Sequence, residues 1–211
     1  MVKIIAIDGP ASAGKSTLAK KLAKKYKSPI LFSGRLYRAV ALEVIKRKIS
    51  YNSTQEILKC VSSINLSKLD SNELYSSEVD NVSSLISAKK QLRAKLTNFQ
   101  RDFPKNYGKD SKFAIIEGRD IGTVIFPTAD FKIFLWAEPK IRAKRRYEQM
   151  KKNVKKASYN RILSEINARD RKDLARKIAP LMPAANSVLL DTSYIDIEQT
   201  FNALKQIILQ N

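Results

Sequence analysis

Largely apolar runs of three to six residues recur along the chain, most followed by small or polar residues and then by apolar positions spaced at three and four. Val2–Ile7, Pro29–Phe32, Phe113–Ile116, Phe131–Trp136 and Val188–Leu190 are runs of this kind. Runs this short and this apolar predict strands buried on both faces. Between them, Ser16–Lys25 places Leu18, Leu22 and Ala23 on one helical face, and Arg35–Arg47 does the same with Leu36, Ala39, Val40 and Val44. Arg38 lies off that stripe. Glu78–Phe103 reads as helix broken once near Ser87, residues 140–151 and 158–177 as two helices, and Ile195–Leu209 as a closing helix. Residues 49–77, rich in Ser and Asn, carry one short helical pattern around Ile57, Leu58 and Val61 and read as a small peripheral insert. Gly122–Pro127 reads as a loop.

Strands alternating with helices predict an α/β fold, a five-stranded parallel sheet with helices on both faces and ligands at the carboxyl ends of the strands. The glycines agree. Five of the six, all but Gly108, lie in segments that follow apolar strands. The first of these segments, Gly9-Pro10-Ala11-Ser12-Ala13-Gly14-Lys15-Ser16-Thr17, fits G-x-x-x-x-G-K-[ST] between a strand and a helix. Such a loop aims backbone N–H groups at a phosphate, sends the Lys15 ammonium to the outer phosphates and leaves the Ser16 hydroxyl as a ligand for a phosphate-bridging Mg²⁺. An ordinary glycine turn is the plainer reading, and the flanking strand and helix argue against it.

Composition narrows the chemistry. Histidine is absent, so acid–base steps must do without imidazole and a Cys/His zinc cluster is excluded, and the single cysteine, Cys60, excludes an internal disulfide. The apolar segment near Met1 is too short for a signal peptide or a membrane span, so a cytoplasmic protein away from membranes is expected. Net charge is +20, from 40 Lys and Arg against 20 Asp and Glu. That surplus predicts polyanionic company. Aromatics, at 8%, are too scattered for a single-strand nucleic-acid binder, so nucleotides rather than nucleic acid are the expected partners.

Fifteen of the basic residues fall between Glu138 and Lys177. Within this segment Ile162, Ile166, Arg169, Asp173 and Arg176 share one helical stripe that begins apolar and ends charged. Its Arg-Asp-Arg end therefore faces the protein. It would clamp a transferring phosphoryl group or form a structural ion-pair ladder. Phosphoryl transfer needs positioning and charge neutralisation, which a phosphate loop and an arginine-rich lid can supply while excluding water.

These motifs together resemble the bacterial cytidylate kinase family of P-loop nucleoside monophosphate kinases. The resemblance is carried by Ile7-Asp8-Gly9-Pro10, Ser33-Gly34-x-x-Tyr37-Arg38, Glu78-Val79-x-Asn81, Gly118-Arg119-Asp120-x-Gly122-Thr123-Val124-x-Phe126-Pro127 and Arg169-Asp170-x-x-Asp173-x-x-Arg176-x-x-Ala179-Pro180-Leu181. It spans nearly the whole chain and implies transfer of the ATP γ-phosphate to CMP or dCMP with Mg²⁺. By this resemblance Gly9 to Thr17 bind ATP, and Arg38, Arg119 and Arg176 hold the CMP phosphate. Ser33, Arg93 and Asp120 face cytosine, and Ser84, Arg169 and Asp173 face the ribose. Lys15, Arg119 and Arg176 are the catalytic groups it implies. Asp120 has a plainer alternative, capping its loop or pairing with Arg119.

The same resemblance implies one P-loop kinase domain, with a core of residues 1–48, 88–137 and 178–211, an acceptor insert over about 49–87, and a mobile lid with flanking helices over about 138–177. Family members carry a longer segment before Glu-Val-x-Asn, folded as a small antiparallel sheet, and residues 49–77 are too short for all of it. A monomer is expected. The competing readings are a P-loop kinase for UMP, AMP or a non-nucleotide acceptor, and a basic RNA-binding module. A GTPase is disfavoured because no Asn-Lys dipeptide is present for an Asn-Lys-x-Asp guanine reader.

Overall fold

The computed structural model describes residues 2–65, 68–151 and 157–209. Residues 66–67, in the expected insert, and 152–156, in the expected lid, lie outside the described residues. The chain divides into two compact units, residues 1–30 with 107–211, and residues 31–106.

The first unit is built on β1 (Lys3–Asp8), β3 (Phe113–Glu117), β4 (Phe131–Trp136) and β5 (Val188–Asp191). With β2 (Ile30–Phe32), where the division between the units falls, the sheet order is β2-β3-β1-β4-β5. The β1–β3, β1–β4 and β4–β5 pairs are parallel, with Ile5 opposite both Ile115 and Phe131. All five residues of β3 are buried, as are Ile5, Ala6 and Ile7, because a central strand with no polar alternation is covered on both faces. The predicted parallel α/β sheet is therefore present.

α1 (Lys15–Tyr26) packs on β1 and β3 through Leu18, Ala19 and Leu22, and also meets α8 (Ile197–Leu209). Its last turn carries Lys24 and Lys25, which suit the negative end of the helix dipole. Its first turn carries no acidic residue. α6 (Pro139–Lys151) and α7 (Tyr159–Leu174) pair around a small core of their own, Ala143, Ile162 and Ile166, flanked by Tyr147, Met150, Tyr159 and Leu163. Ser158 caps α7 by accepting from the Arg161 amide.

The second unit is helical: α2 (Ser33–Lys46), α3 (Thr54–Cys60), α4 (Ser77–Ile86) and most of α5 (Lys90–Tyr107). α2 packs against α3 and α4, and the buried stripe Leu36, Val40, Ala41 and Val44 is close to the one its spacing predicts. The expected break near Ser87 separates α4 from α5. Ser76 caps α4 by accepting from the Val79 amide.

Three local expectations need correction. The helix expected from Arg35 begins at Ser33, because the chain turns directly from β2 into helix. Ile121–Ile125 is a wide helical turn rather than a loop, closed by bonds from the Ile125 amide to the Asp120 carbonyl and from the Phe126 amide to the Ile121 carbonyl. The helix expected to reach residue 177 stops at Leu174. There the Asp173 carbonyl accepts from Leu181, and Ala179 takes φ 52°, which turns the chain back.

Candidate active site

The loop between β1 and α1 has the geometry of an anion nest. Gly9 takes φ 140°, and a Cβ there would lie 2.0 Å from the Leu135 carbonyl oxygen of β4, so no larger residue fits. Ser12 at φ 60° and Gly14 at φ 92° are left-handed, and such a reversal between neighbouring residues points successive N–H groups into one concavity. Gly14 caps α1 without a side-chain bond, so the first amides of the helix retain capacity for an anion. Ser16 and Thr17 are exposed at its mouth.

Lys15 is only 4% exposed. Its Nζ donates to the Pro10 carbonyl at 2.6 Å and lies 3.5 Å from Glu117 Oε1. Burial, with a smaller contribution from the Arg119 charge, lowers its pKa to about 7. The Ser16 hydroxyl donates to Glu117 Oε2 at 3.3 Å. Glu117, the last residue of β3, thus faces both loop side chains. Hard oxygen donors are the set Mg²⁺ takes, and the Ser16–Glu117 oxygen pair fits that ion.

From Glu117 a charged chain continues. Arg119 Nη1 lies 3.9 Å from Glu117 Oε1 and donates to the Gly118 carbonyl at 3.1 Å, while its Nε meets Asp173 Oδ2 at 3.3 Å. Asp173, 1% exposed, also pairs with Arg176 Nη2 at 2.5 Å. On α7 the stripe is inward-facing as predicted, with Ile162, Ile166 and Asp173 buried and Arg169 partly so, while Arg176, also partly buried, lies beyond the helix end. One carboxylate holds two arginines. The ion-pair ladder is therefore present.

Asp8, at the end of β1, accepts from the Ile121 amide at 2.9 Å and the Gly122 amide at 2.7 Å. A Cβ on Gly122 would come within 3.5 Å of that carboxylate and 3.2 Å of Ala184. Burial pushes the Asp8 pKa up to about 7 against the lowering effect of those two N–H bonds. Asp8 thus fixes the wide turn that begins beside Arg119 and Asp120. The Asp120 side chain is buried and makes no capping bond to that turn, and Arg119 is held by Asp173 and the Gly118 carbonyl.

Two side chains brace the nest from behind. Arg142 of α6, 1% exposed, donates through Nε to the Ala137 carbonyl at 2.7 Å and through Nη1 to the Ala11 carbonyl at 3.2 Å, and its Nη2 meets Asp170 Oδ2 of α7 at 2.5 Å. The Thr192 hydroxyl, just past β5, lies 3.3 Å from the Ala13 carbonyl and 3.1 Å from that of Trp136, and accepts from Arg145 at 3.1 Å. Sequence reading assigned no role to Asp8, which appears there only within a motif, nor to Glu117, Arg142 or Thr192. Glu117 had a signal, a carboxylate ending an apolar strand beside Gly118. Arg142 had none, since it is one of fifteen basic residues in its segment.

Of the expected site residues, Gly9 to Thr17, Arg119, Asp120, Arg169, Asp173 and Arg176 lie in the first unit, and the structure joins Lys15, Ser16, Arg119, Asp173 and Arg176 through Glu117 and Asp173. Ser33, Arg38, Ser84 and Arg93 lie in the second. There Ser33 is buried at the start of α2. Arg38 donates to the Leu74 carbonyl at 2.8 Å, pairs with Asp80 at 2.6 Å and sits 5.4 Å from the Tyr75 ring. Arg93, buried on α5, donates to the Ser87 carbonyl at 3.3 Å and lies 5.7 Å from the Tyr37 ring. Ser84 is half-buried on α4, and its carbonyl accepts from Ser87 Oγ. No described helix is long and apolar enough to cross a membrane.

Known proteins are similar to this chain in sequence over nearly its whole length. The family model for cytidylate kinase matches residues 5–210. A cytidylate kinase of Rhodopseudomonas palustris is 42% identical over 195 residues, 92% of this chain and 90% of the relative. One from Xanthobacter autotrophicus is 38% identical over 205 residues, 97% and 96% of the two chains. Among solved structures, an uncharacterized protein of Eubacterium ventriosum aligns with TM-score 0.58 at 15% identity, covering 100% of both chains. A Thermus thermophilus protein aligns with TM-score 0.52 at 16% identity over 97% of each. At these identities the two structures are similar to this chain in fold.

Proposed function

The chain belongs to the cytidylate kinase family, and we propose that it transfers the γ-phosphate of ATP to CMP or dCMP through the side chains described above, yielding ADP and CDP or dCDP. The observation that supports this site most directly is the continuous run Lys15–Glu117–Arg119–Asp173–Arg176, which leads from the phosphate nest to the arginine stripe. A site so composed supplies cations along the path of a moving phosphoryl group. Its carboxylates, Glu117 and Asp173, are each engaged by basic side chains, so direct transfer between nucleotides fits better than a phospho-enzyme.

In this reading Gly9, Pro10, Ala11, Ser12, Ala13, Gly14, Lys15, Ser16 and Thr17 cradle the ATP phosphates. Polyphosphate charge favours the Lys15 ammonium, against the effect of burial. Ser16 and Glu117 would hold Mg²⁺, which neutralises phosphate charge when bound. Arg119 and Arg176 stabilise the transferring group. Because Asp173 already offsets much of their charge, substrate phosphate takes over part of that pairing rather than meeting two bare cations.

The acceptor contacts we propose are, in the first unit, Arg119 and Arg176 to phosphate, Asp120 to the cytosine amino group, and Arg169 and Asp173 to the sugar. In the second unit they are Arg38 to phosphate, Ser33 and Arg93 to the base, and Ser84 to the sugar. Asp173 can serve two arginines and a hydroxyl, since a carboxylate offers about four acceptor directions. Residues 138–177 comprise the lid and its flanking helices, of which α6 is tied to the phosphate loop through Arg142. The enzyme is read as a monomer that binds no nucleic acid and works in the cytoplasm.

The test is ADP release measured with ATP, Mg²⁺ and each of CMP, dCMP, UMP and AMP. CMP and dCMP are expected to give the highest kcat/KM. A preference for UMP or AMP, or turnover that ignores the acceptor, rejects the reading.

A further inference from the structure

Three carbonyls of the phosphate loop meet side-chain donors. Pro10 accepts from Lys15, Ala11 from Arg142, and the Ala13 carbonyl faces the Thr192 hydroxyl. In a trans peptide the C=O and the next residue's N–H point in opposite directions across one rigid plane. Fixing the Ala11 oxygen inward therefore fixes the Ser12 N–H outward, and fixing the Ala13 oxygen does the same for Gly14. These are the two left-handed residues of the nest, where the peptide planes are the least constrained by regular structure.

We infer that Arg142 is a positioning residue for phosphate binding, its guanidinium holding the Ala11 carbonyl so that the Ser12 N–H is already aimed at the anion before ATP arrives. Thr192 does the same, more weakly, for Ala13 and Gly14. Arg142 suits this task. Its planar fork bonds Ala137 at the end of β4 and Ala11 at once, and Asp170 of α7 receives the third donor. Asp170 also neutralises a guanidinium that would be costly to bury alone. Arg142 faces the rear of the loop, so it needs no contact with ligand. The inference rests on residues 9–17 being the ATP phosphate cradle.

The test measures binding of inorganic tripolyphosphate, and separately of CMP, to the full chain by calorimetry. Arg142→Lys keeps a charge opposite Asp170 but loses the fork, and the double variant Arg142→Met with Asp170→Leu removes both charges, so neither leaves a lone buried ion. A charge-assisted hydrogen bond corresponds to roughly tenfold or more in affinity, and the shared Thr192 hydroxyl to a few-fold. Tripolyphosphate affinity is thus expected to fall about tenfold in either Arg142 variant and severalfold in Thr192→Val. CMP affinity should change much less, and the Ser12 amide should exchange with solvent faster in the Arg142 variants. Unchanged tripolyphosphate affinity in a folded Arg142 variant, or equal losses for CMP and tripolyphosphate, would overturn the positioning role. Failure of the unsubstituted protein to bind tripolyphosphate would instead overturn the reading of the loop itself.

Discussion

The phosphate loop and the Asp173 cluster both hold basic side chains in place, but by different means. In the loop, Lys15 and Arg142 combine backbone carbonyls, those of Pro10, Ala11 and Ala137, with a carboxylate apiece, Glu117 and Asp170. In the cluster, Arg119 and Arg176 share one carboxylate. A carbonyl orients a cation without cancelling its charge, whereas a carboxylate does both. The loop is therefore a preset electrostatic site, and the cluster is one in which substrate competes with an internal anion. That difference explains why burial leaves the Lys15 pKa near 7, since the 3.5 Å contact to Glu117 offsets only part of the desolvation.

The largest effect should come from the preset site. Lys15→Ala removes charge stabilisation of the transferring group and should reduce turnover on the order of a thousandfold or more, with the circular-dichroism spectrum unchanged. Near-normal turnover in a folded variant would break the comparison at its strongest point.

In the cluster, Arg176→Ala should lower kcat by on the order of a hundredfold, because its charge is needed most when the phosphoryl group moves. Arg169→Ala should act mainly on the acceptor KM, since a sugar contact is made equally in ground and transition states. Steady-state kinetics with CMP separates the two. Matching defects would mean that the stripe on α7 acts as one undivided ladder.

A smaller effect is expected for base selection. Cytosine carries an amino donor where uracil carries an oxygen, so a carboxylate beside that position favours the first. Asp120→Asn should lower kcat/KM for CMP by roughly tenfold, the worth of one charge-assisted bond, while that for UMP falls less or rises. Equal losses for both substrates would assign Asp120 to the loop rather than to the base.

The smallest effects concern protons. Lys15, lowered to about 7 in the ligand-free protein, should regain its proton when polyphosphate binds, so ATP binding near pH 8 takes up a fraction of a proton and weakens as pH rises above 7. Calorimetry in two buffers of different ionisation enthalpy reads this directly, and Lys15→Ala should abolish it. For Asp8 the sign is opposite in origin: its pKa is raised from 3.8 to about 7, so the folded protein keeps a proton that the unfolded chain gives up. The stability this contributes is complete below the ordinary carboxylate pKa and is lost as pH rises through 7. Asp8→Asn should flatten that part of the Tm-against-pH curve. An unaltered slope would show that another group carries it.

The sequence by itself determined the features that local physics governs. Apolar runs located all five strands to within two residues, and the spacing of Gly9, Gly14, Lys15 and Ser16 located the nest, because strand burial and left-handed turns leave marks that neighbours do not alter. The phase of Ile162, Ile166 and Asp173 likewise showed which side of α7 faces inward. Only the tertiary structure decided what those marks meet. Whether Glu117 faces Lys15 and Ser16 depends on β3 lying beside β1 in parallel register, a pairing between residues more than a hundred positions apart. Arg142 shows the limit most clearly: among fifteen basic residues in forty, its role is set by the carbonyls of Ala11 and Ala137 and by Asp170, and backbone carbonyls carry no residue-specific signal in a sequence.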